Sequence, residues 1–277
     1  MDEPRTAEKE GSPPDDRSGV GSAGGLGDGA FPAWPLPPGP KAAGTARAIV
    51  RSVVNEVGIP PVALDSAQMI VSEIATNAVV HGARDRVELW AHISHRPRPA
   101  VTVQVFDAAP WRGPGEFPVP PAAPSDACGG RGLLLVDALT AEAGGRWGVH
   151  PTRSRLGPDS VPGKAVYFTV PIPAAIPAAI PAAAPVRCPP HERVRALAAA
   201  RGLRPRISLG PDAAVIHFTV GLWVWVKGES LLYERPGHGV VRHPVSDAVE
   251  VVEQIVRHSE ELAMESSAYR APSWDLH

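Results

Sequence analysis

Cysteine is scarce in this chain: there are two, Cys128 and Cys188. They are too few and too far apart for a disulfide framework or for a structural zinc site with paired short spacings, and are read as plain thiols of a reducing compartment. Neither sign of charge prevails, with 27 Lys and Arg against 29 Asp and Glu. No global field therefore draws the chain to nucleic acid or to an anionic membrane surface. The first residues, MDEPRTAEKEGSPPDD, are acidic and lack the apolar centre of a secretory leader. A long uninterrupted hydrophobic run is also missing. The apolar stretch 165–186 is broken by Pro171, Pro173, Pro177, Pro181 and Pro185, a spacing no membrane helix tolerates. The expectation is a cytoplasmic protein with no nucleic acid and no membrane among its partners.

Proline and glycine, by contrast, are abundant at 33 and 27, which concentrates ordered structure in part of the chain. Residues 1–40 are rich in Gly, Pro, Ser and Asp and bury too little to offset the entropy of ordering, so a disordered tail is expected, with Phe31, Trp34 and Leu36 as docking candidates. From 42 to 57, Ala46, Ile49, Val50, Val53 and Val57 recur at helical spacing. A second helix is predicted from Pro61 to His81, ended by Gly82. Alternation then predicts strands at 86–93 and 101–107. Residues 108–128 are Pro-rich and aperiodic, as a lid would be. A helix at 129–139 and strands in RWGVH and KAVYFTV follow. This order predicts an α/β sandwich over 41–171, with helices on one face of a largely antiparallel sheet. A Pro/Ala linker spans 172–189. Residues 190–265 read as a small α+β module of unassigned role, and 266–277 as a frayed tail. Trp223 and Trp225 of that module are read as core or dimer packing in preference to an exposed aromatic patch, so a homodimer is among the expected states.

Within the second helix, VSEIATNAVVHG places Glu73, Asn77 and His81 four residues apart. They form one stripe about 12 Å long among mostly apolar neighbours. A solvated face is the plain alternative. Two later features bear on it. Asp107 ends a strand just before the lid, and in GGRGLLL the glycines Gly130 and Gly132 flank Arg131 at a helix start, where free N–H groups and the helix dipole favour a phosphate.

In order and spacing these segments resemble the N, G1 and G2 boxes of the GHKL ATPases, the Bergerat fold, and in particular the bacterial anti-sigma-factor serine kinases and their histidine-kinase-like ATP-binding relatives. EIATNAVVHG matches the N box, VFDAAPWRGPG a remnant of G1, and GGRGLLLVDAL the G2 box. The resemblance covers about 42–171. It implies ATP and Mg²⁺ as cofactors, with Asn77 on the metal and Glu73 orienting or deprotonating the attacking group. It further implies Asp107 on the adenine amine, and Gly130, Arg131 and Gly132 around the phosphates. His81 is a binding candidate at the helix end, and Lys164 lies within reach of a phosphate. Where the family has glycines after the G1 aspartate, this chain has Ala108, Ala109 and Pro110. The implied activity is that of a protein serine/threonine kinase acting on an anti-sigma-factor antagonist and binding a sigma factor. A non-catalytic ATP-binding switch, or an interaction protein with an inactive pocket, stays open beside it.

Overall fold

Apolar residues at three- and four-residue spacing wind Lys41–Val57 into α1 and Pro61–His81 into α2. Gly58, at φ 77°, closes the first in the left-handed conformation that only glycine adopts without strain. Pro61 opens the second at a position where its missing N–H costs nothing. The computed structural model describes residue 26 and residues 29–82, 86–110, 132–174, 188–219, 222–235 and 239–270. Strands β1 (Ala33–Pro35), β2 (Val87–Ser94) and β3 (Ala100–Asp107) are followed by α3 (Gly132–Glu142), β4 (Trp147–Arg153) and β5 (Pro162–Pro171). They form one sheet in the order β1-β2-β3-β5-β4, antiparallel at every pairing.

One face of this sheet carries Leu89, Ala91, Ile93, Val101, Val103 and Val105, buried against Val50, Val54, Ile70 and Ile74 of the helices. The opposite face carries Glu88, Trp90, His92, Thr102, Gln104 and Phe106. Every residue of β2 and β3 is nonetheless buried. The reason is a second unit, built from α4 (Pro190–Ala200), β6 (Arg206–Leu209), β7 (Ala214–Thr219), β8 (Leu222–Lys227), β9 (Ser230–Arg235), β10 (Gly239–Pro244) and α5 (Ala248–Arg270). Its strands run as an antiparallel meander in the order β10-β9-β8-β7-β6. Val194, Ile216, Val224, Leu231, Val252 and Ile255 form its own core. Helix α5 contacts β2 and β4, so it lies across the back of the first sheet.

The seam between the units is fixed by Arg201, whose side chain is 2% exposed. Its guanidinium grips Glu253 through Nε and Nη2 at 2.7 and 3.1 Å and donates to Thr152 Oγ1 at 2.7 Å and to the carbonyls of Arg153 and Ser154. All five of its N–H groups thus have acceptors, which is what makes a buried guanidinium tolerable. It also lies over the Trp90 ring, 4.8 Å from the centroid.

Three expectations are corrected here, and two strands are added. The segment taken for a tail contains β1, because Ala33 and Trp34 add to the edge of β2 and Leu36 is buried. The final helix runs on to Arg270, beyond the frayed end expected from 266. Strands β6 and β10, short or rich in polar residues, were not legible as strands. Trp223 and Trp225 are not core: they meet edge to face at 5.8 Å on the outer side of the second sheet, with Trp223 41% exposed, while Val224 and Val226 point inward. No helix among the described residues is long and apolar enough to cross a membrane.

Candidate functional site

The N-box stripe sits where α2 meets the start of α3. Glu73 and Asn77 are half-buried, and His81, in the last turn, is exposed. A Cβ built on Gly132 would fall 2.6 Å from Glu73 Oε2 and 3.7 Å from Asn77 Nδ2. The first residue of α3 is therefore a glycine because its backbone lies directly against the stripe, and any side chain there would displace the Glu73 carboxylate. Helix N-terminal backbone and two polar side chains converge on one spot, the arrangement that receives anions and their counter-ions. Gly130 and Arg131, the other two candidates of this turn, lie outside the described residues, as does the expected lid at 108–128 beyond Pro110.

Asp107 ends β3 and is 2% exposed. Its Oδ1 accepts the N–H of Ala109 at 2.9 Å and the Lys164 ammonium at 3.1 Å, the two residues facing each other across the β3–β5 pairing. Lys164, placed by its sequence within reach of a phosphate, is thus engaged by the aspartate. The α2 end abuts the same carboxylate. A Cβ on Gly82 would stand 2.8 Å from Asp107 Cγ and 2.2 Å from the Ala78 carbonyl oxygen. Gly82 is extended, at φ −88° and ψ −175°, so its requirement is space and not a left-handed turn. Gly163 is equally constrained, its Cβ falling 2.3 Å from the Asp107 carbonyl oxygen. Gly82 and Gly163 are the site residues that the sequence reading missed. Their signal, a glycine beside each of His81 and Lys164, was legible only as helix punctuation and a strand start.

Residues 36–148 match the family model described as a histidine kinase-like ATPase domain. Over this segment the chain is similar to histidine kinase-like ATPase domains of GHKL type. Its scaffold is accordingly an α/β sandwich of the Bergerat kind, with α1, α2 and α3 covering one face of the antiparallel sheet. Among solved structures, the histidine kinase domain of the blue-light activated histidine kinase of Erythrobacter litoralis aligns at 19% identity, with a TM-score of 0.29. That alignment covers 49% of this chain and 64% of the other, so less than two thirds of the kinase domain's chain is spanned. No curated protein matches the chain.

A GHKL ATPase domain implies ATP binding. The groups present fit a magnesium-bound nucleotide. An amide and a carboxylate stand one turn apart on a rigid helix, a glycine backbone closes on them, and a buried carboxylate waits at the strand end. Asn77 offers a hard oxygen ligand, and Glu73 offers a base or orienting group beside it.

Proposed function

We propose that this chain is an ATP- and Mg²⁺-dependent regulatory protein, an anti-sigma-factor-type serine/threonine kinase that controls transcription by phosphorylating and binding a protein partner. The partner is an anti-sigma-factor antagonist, a sigma factor, or both in turn. The observation that carries this reading is the closure of the Gly132 backbone on Glu73 and Asn77. It leaves the carboxylate beside the helix N-terminus, where a transferable phosphoryl group would lie. In this reading Asn77 holds the metal, which neutralises phosphate charge when bound. Glu73 accepts the proton of the attacking serine or threonine hydroxyl, and Asp107 reads the exocyclic amine of adenine.

One observation favours a second reading, an ATP-occupied switch that docks its partner without transfer. Asp107 is already shared with Lys164 and Ala109, and the residues after it are Ala108, Ala109 and Pro110 where the family carries glycines. A stiffer loop and a committed carboxylate suit holding a nucleotide better than cycling it. Incubating the full chain with labelled ATP, Mg²⁺ and candidate antagonist proteins, with Glu73→Ala as control, separates the two. Label on a partner serine or threonine that the control abolishes supports the kinase. ATP-dependent partner binding without label supports the switch.

A further inference from the structure

Arg201 and Glu253 both belong to the second unit, and pairing with each other would suffice to neutralise them there. The remaining bonds of the guanidinium all cross to the first unit. They go to Thr152 Oγ1 at 2.7 Å and to the carbonyls of Arg153 and Ser154, where β4 turns toward β5. Glu260 of α5 takes the Arg153 guanidinium at 3.2 Å, and that group in turn donates to the Ser160 carbonyl on the returning limb. Within the hairpin, Ser154 N–H donates to the Val161 carbonyl and Val161 N–H to Ser154 Oγ, both at 2.8 Å. From the first sheet, Glu88 accepts the N–H groups of Arg155 and Leu156, and Arg86 donates to the Asp159 carbonyl. Hairpin tips are ordinarily among the loosest parts of a fold. This one is held from both units.

The hairpin carries the support of Asp107. Thr152 pairs with Gly163 across β4 and β5, and the next residue, Lys164, pairs with Asp107 across β5 and β3. Gly163 lies against the Asp107 carbonyl oxygen, which a Cβ there would approach to 2.3 Å, and Lys164 Nζ holds Asp107 Oδ1 at 3.1 Å. Between Arg201 and Asp107 there is thus one side chain on β4 and one dipeptide on β5. Thr152 and Asp107 are 0 and 2% exposed, and a close-packed interior transmits a displacement where a solvated loop would absorb it. Both donors that the described residues give the carboxylate, Lys164 Nζ and the Ala109 N–H, go to Oδ1, which leaves Oδ2 as the acceptor for an incoming amine.

We propose, resting on Asp107 as the reader of adenine, that the second unit sets the nucleotide preference of the first, with Arg201 and Lys164 as positioning residues that act through Asp107. Lys164 orients the carboxylate, the β5 backbone places Lys164, and Arg201 fixes the hairpin from which β5 starts. Coupling between two sites is reciprocal. A nucleotide that engages Asp107 therefore tightens the second unit on the sheet, and a partner that lifts the second unit loosens the hold on adenine.

Calorimetry on the full chain with ATP and with GTP, each with Mg²⁺, gives the ratio of affinities that tests this. The wild type is expected to favour ATP by about tenfold or more. Lys164→Met keeps most of the stem and drops the ammonium. Thr152→Val keeps the shape and drops the hydroxyl, and Arg201→Lys keeps a cation for Glu253 without the planar fork. Each should lower the ratio by about threefold or more. Val252→Ala, in the core of the second unit and off this path, should lower stability and leave the ratio as it was. Cooperative urea unfolding reports that each variant folds. A wild type indifferent to the base overturns the role of Asp107 and the proposal with it. A wild type that prefers ATP, with the ratio unchanged in Lys164→Met or in both Thr152→Val and Arg201→Lys, overturns the proposal alone, as does an equal fall in Val252→Ala.

Discussion

In the proposed reading, Asp107 is the residue on which nucleotide choice turns. It is buried, holds two donors on one oxygen, and stands against glycines on two sides. Guanine carries a carbonyl where adenine carries its amine, so a carboxylate there should separate the two by roughly 1.5–3 kcal/mol. Competition binding should therefore rank ATP above GTP, and Asp107→Asn should narrow the gap. Equal affinities in the wild type would remove Asp107 from the base contact. Gly82→Ala should act on the same carboxylate from outside the pocket. Its methyl group would overlap the Ala78 carbonyl, a backbone atom that cannot yield cheaply. Destabilisation of about 1–3 kcal/mol in urea unfolding, together with a weaker adenine preference, is expected. A variant as stable and as selective as the wild type would show that the close approach is immaterial. The Glu73, Asn77 and His81 stripe was legible in the sequence because helical periodicity is a local property. The Lys164–Asp107 pairing and the crowding at Gly82 were not, since each depends on a register between segments far apart in the chain.

Among the elements, α1, α2 and the β2–β3 hairpin follow from patterning alone, and their observed limits fall within a residue or so of those expected. Strand β1 shows the opposite case. Three residues among prolines carry no strand signal, and they pair only because the edge of β2 offers unpaired backbone groups. The cover over the back of the sheet was hidden for a similar reason. Alternation sets Trp90 and His92 opposite the apolar half of their strand, and only the second unit makes them interior. Arg201 is what couples that unit to the sheet. Arg201→Leu would leave Glu253 buried without its cation and free the Arg153 and Ser154 carbonyls. Breaking a buried pair on one side costs about 3–5 kcal/mol. Urea unfolding should show that loss, and limited proteolysis should reach β4 or α5 sooner than in the wild type. An unchanged unfolding curve would mean that the seam does not depend on this residue.

For the molecule as a whole, the seam makes stability depend on pH in one direction. Burial would raise the Asp247 carboxyl, but hydrogen bonds from His243 and His95 outweigh it and hold the group at about 2, against an ordinary 3.8. Glu250 is lowered by His92 and Gln254 in the same way. A carboxylate with a depressed folded value contributes stability above its unfolded value and loses it as pH falls through the folded one. His150, kept neutral by burial, adds to the same trend, since acid must charge it. Stability should therefore begin to fall below about pH 6.5, where His150 is forced to charge, and steepen from about pH 4 toward pH 2, with about 2 kcal/mol of the loss due to Asp247. Asp247→Asn should flatten that limb of the curve in acid titrations followed by tryptophan fluorescence. A steep limb unchanged in the variant would place the titration elsewhere.

The nucleotide pocket is the centre of this account, and Asn77 is the residue through which it is tested most directly. Calorimetric titration of the full chain with ATP should show binding that requires Mg²⁺ and that Asn77→Ala weakens by at least about tenfold, the effect of removing a metal ligand or its support. Equal affinity of the two proteins for ATP in the presence of Mg²⁺, or no binding to the wild type at all, would contradict it.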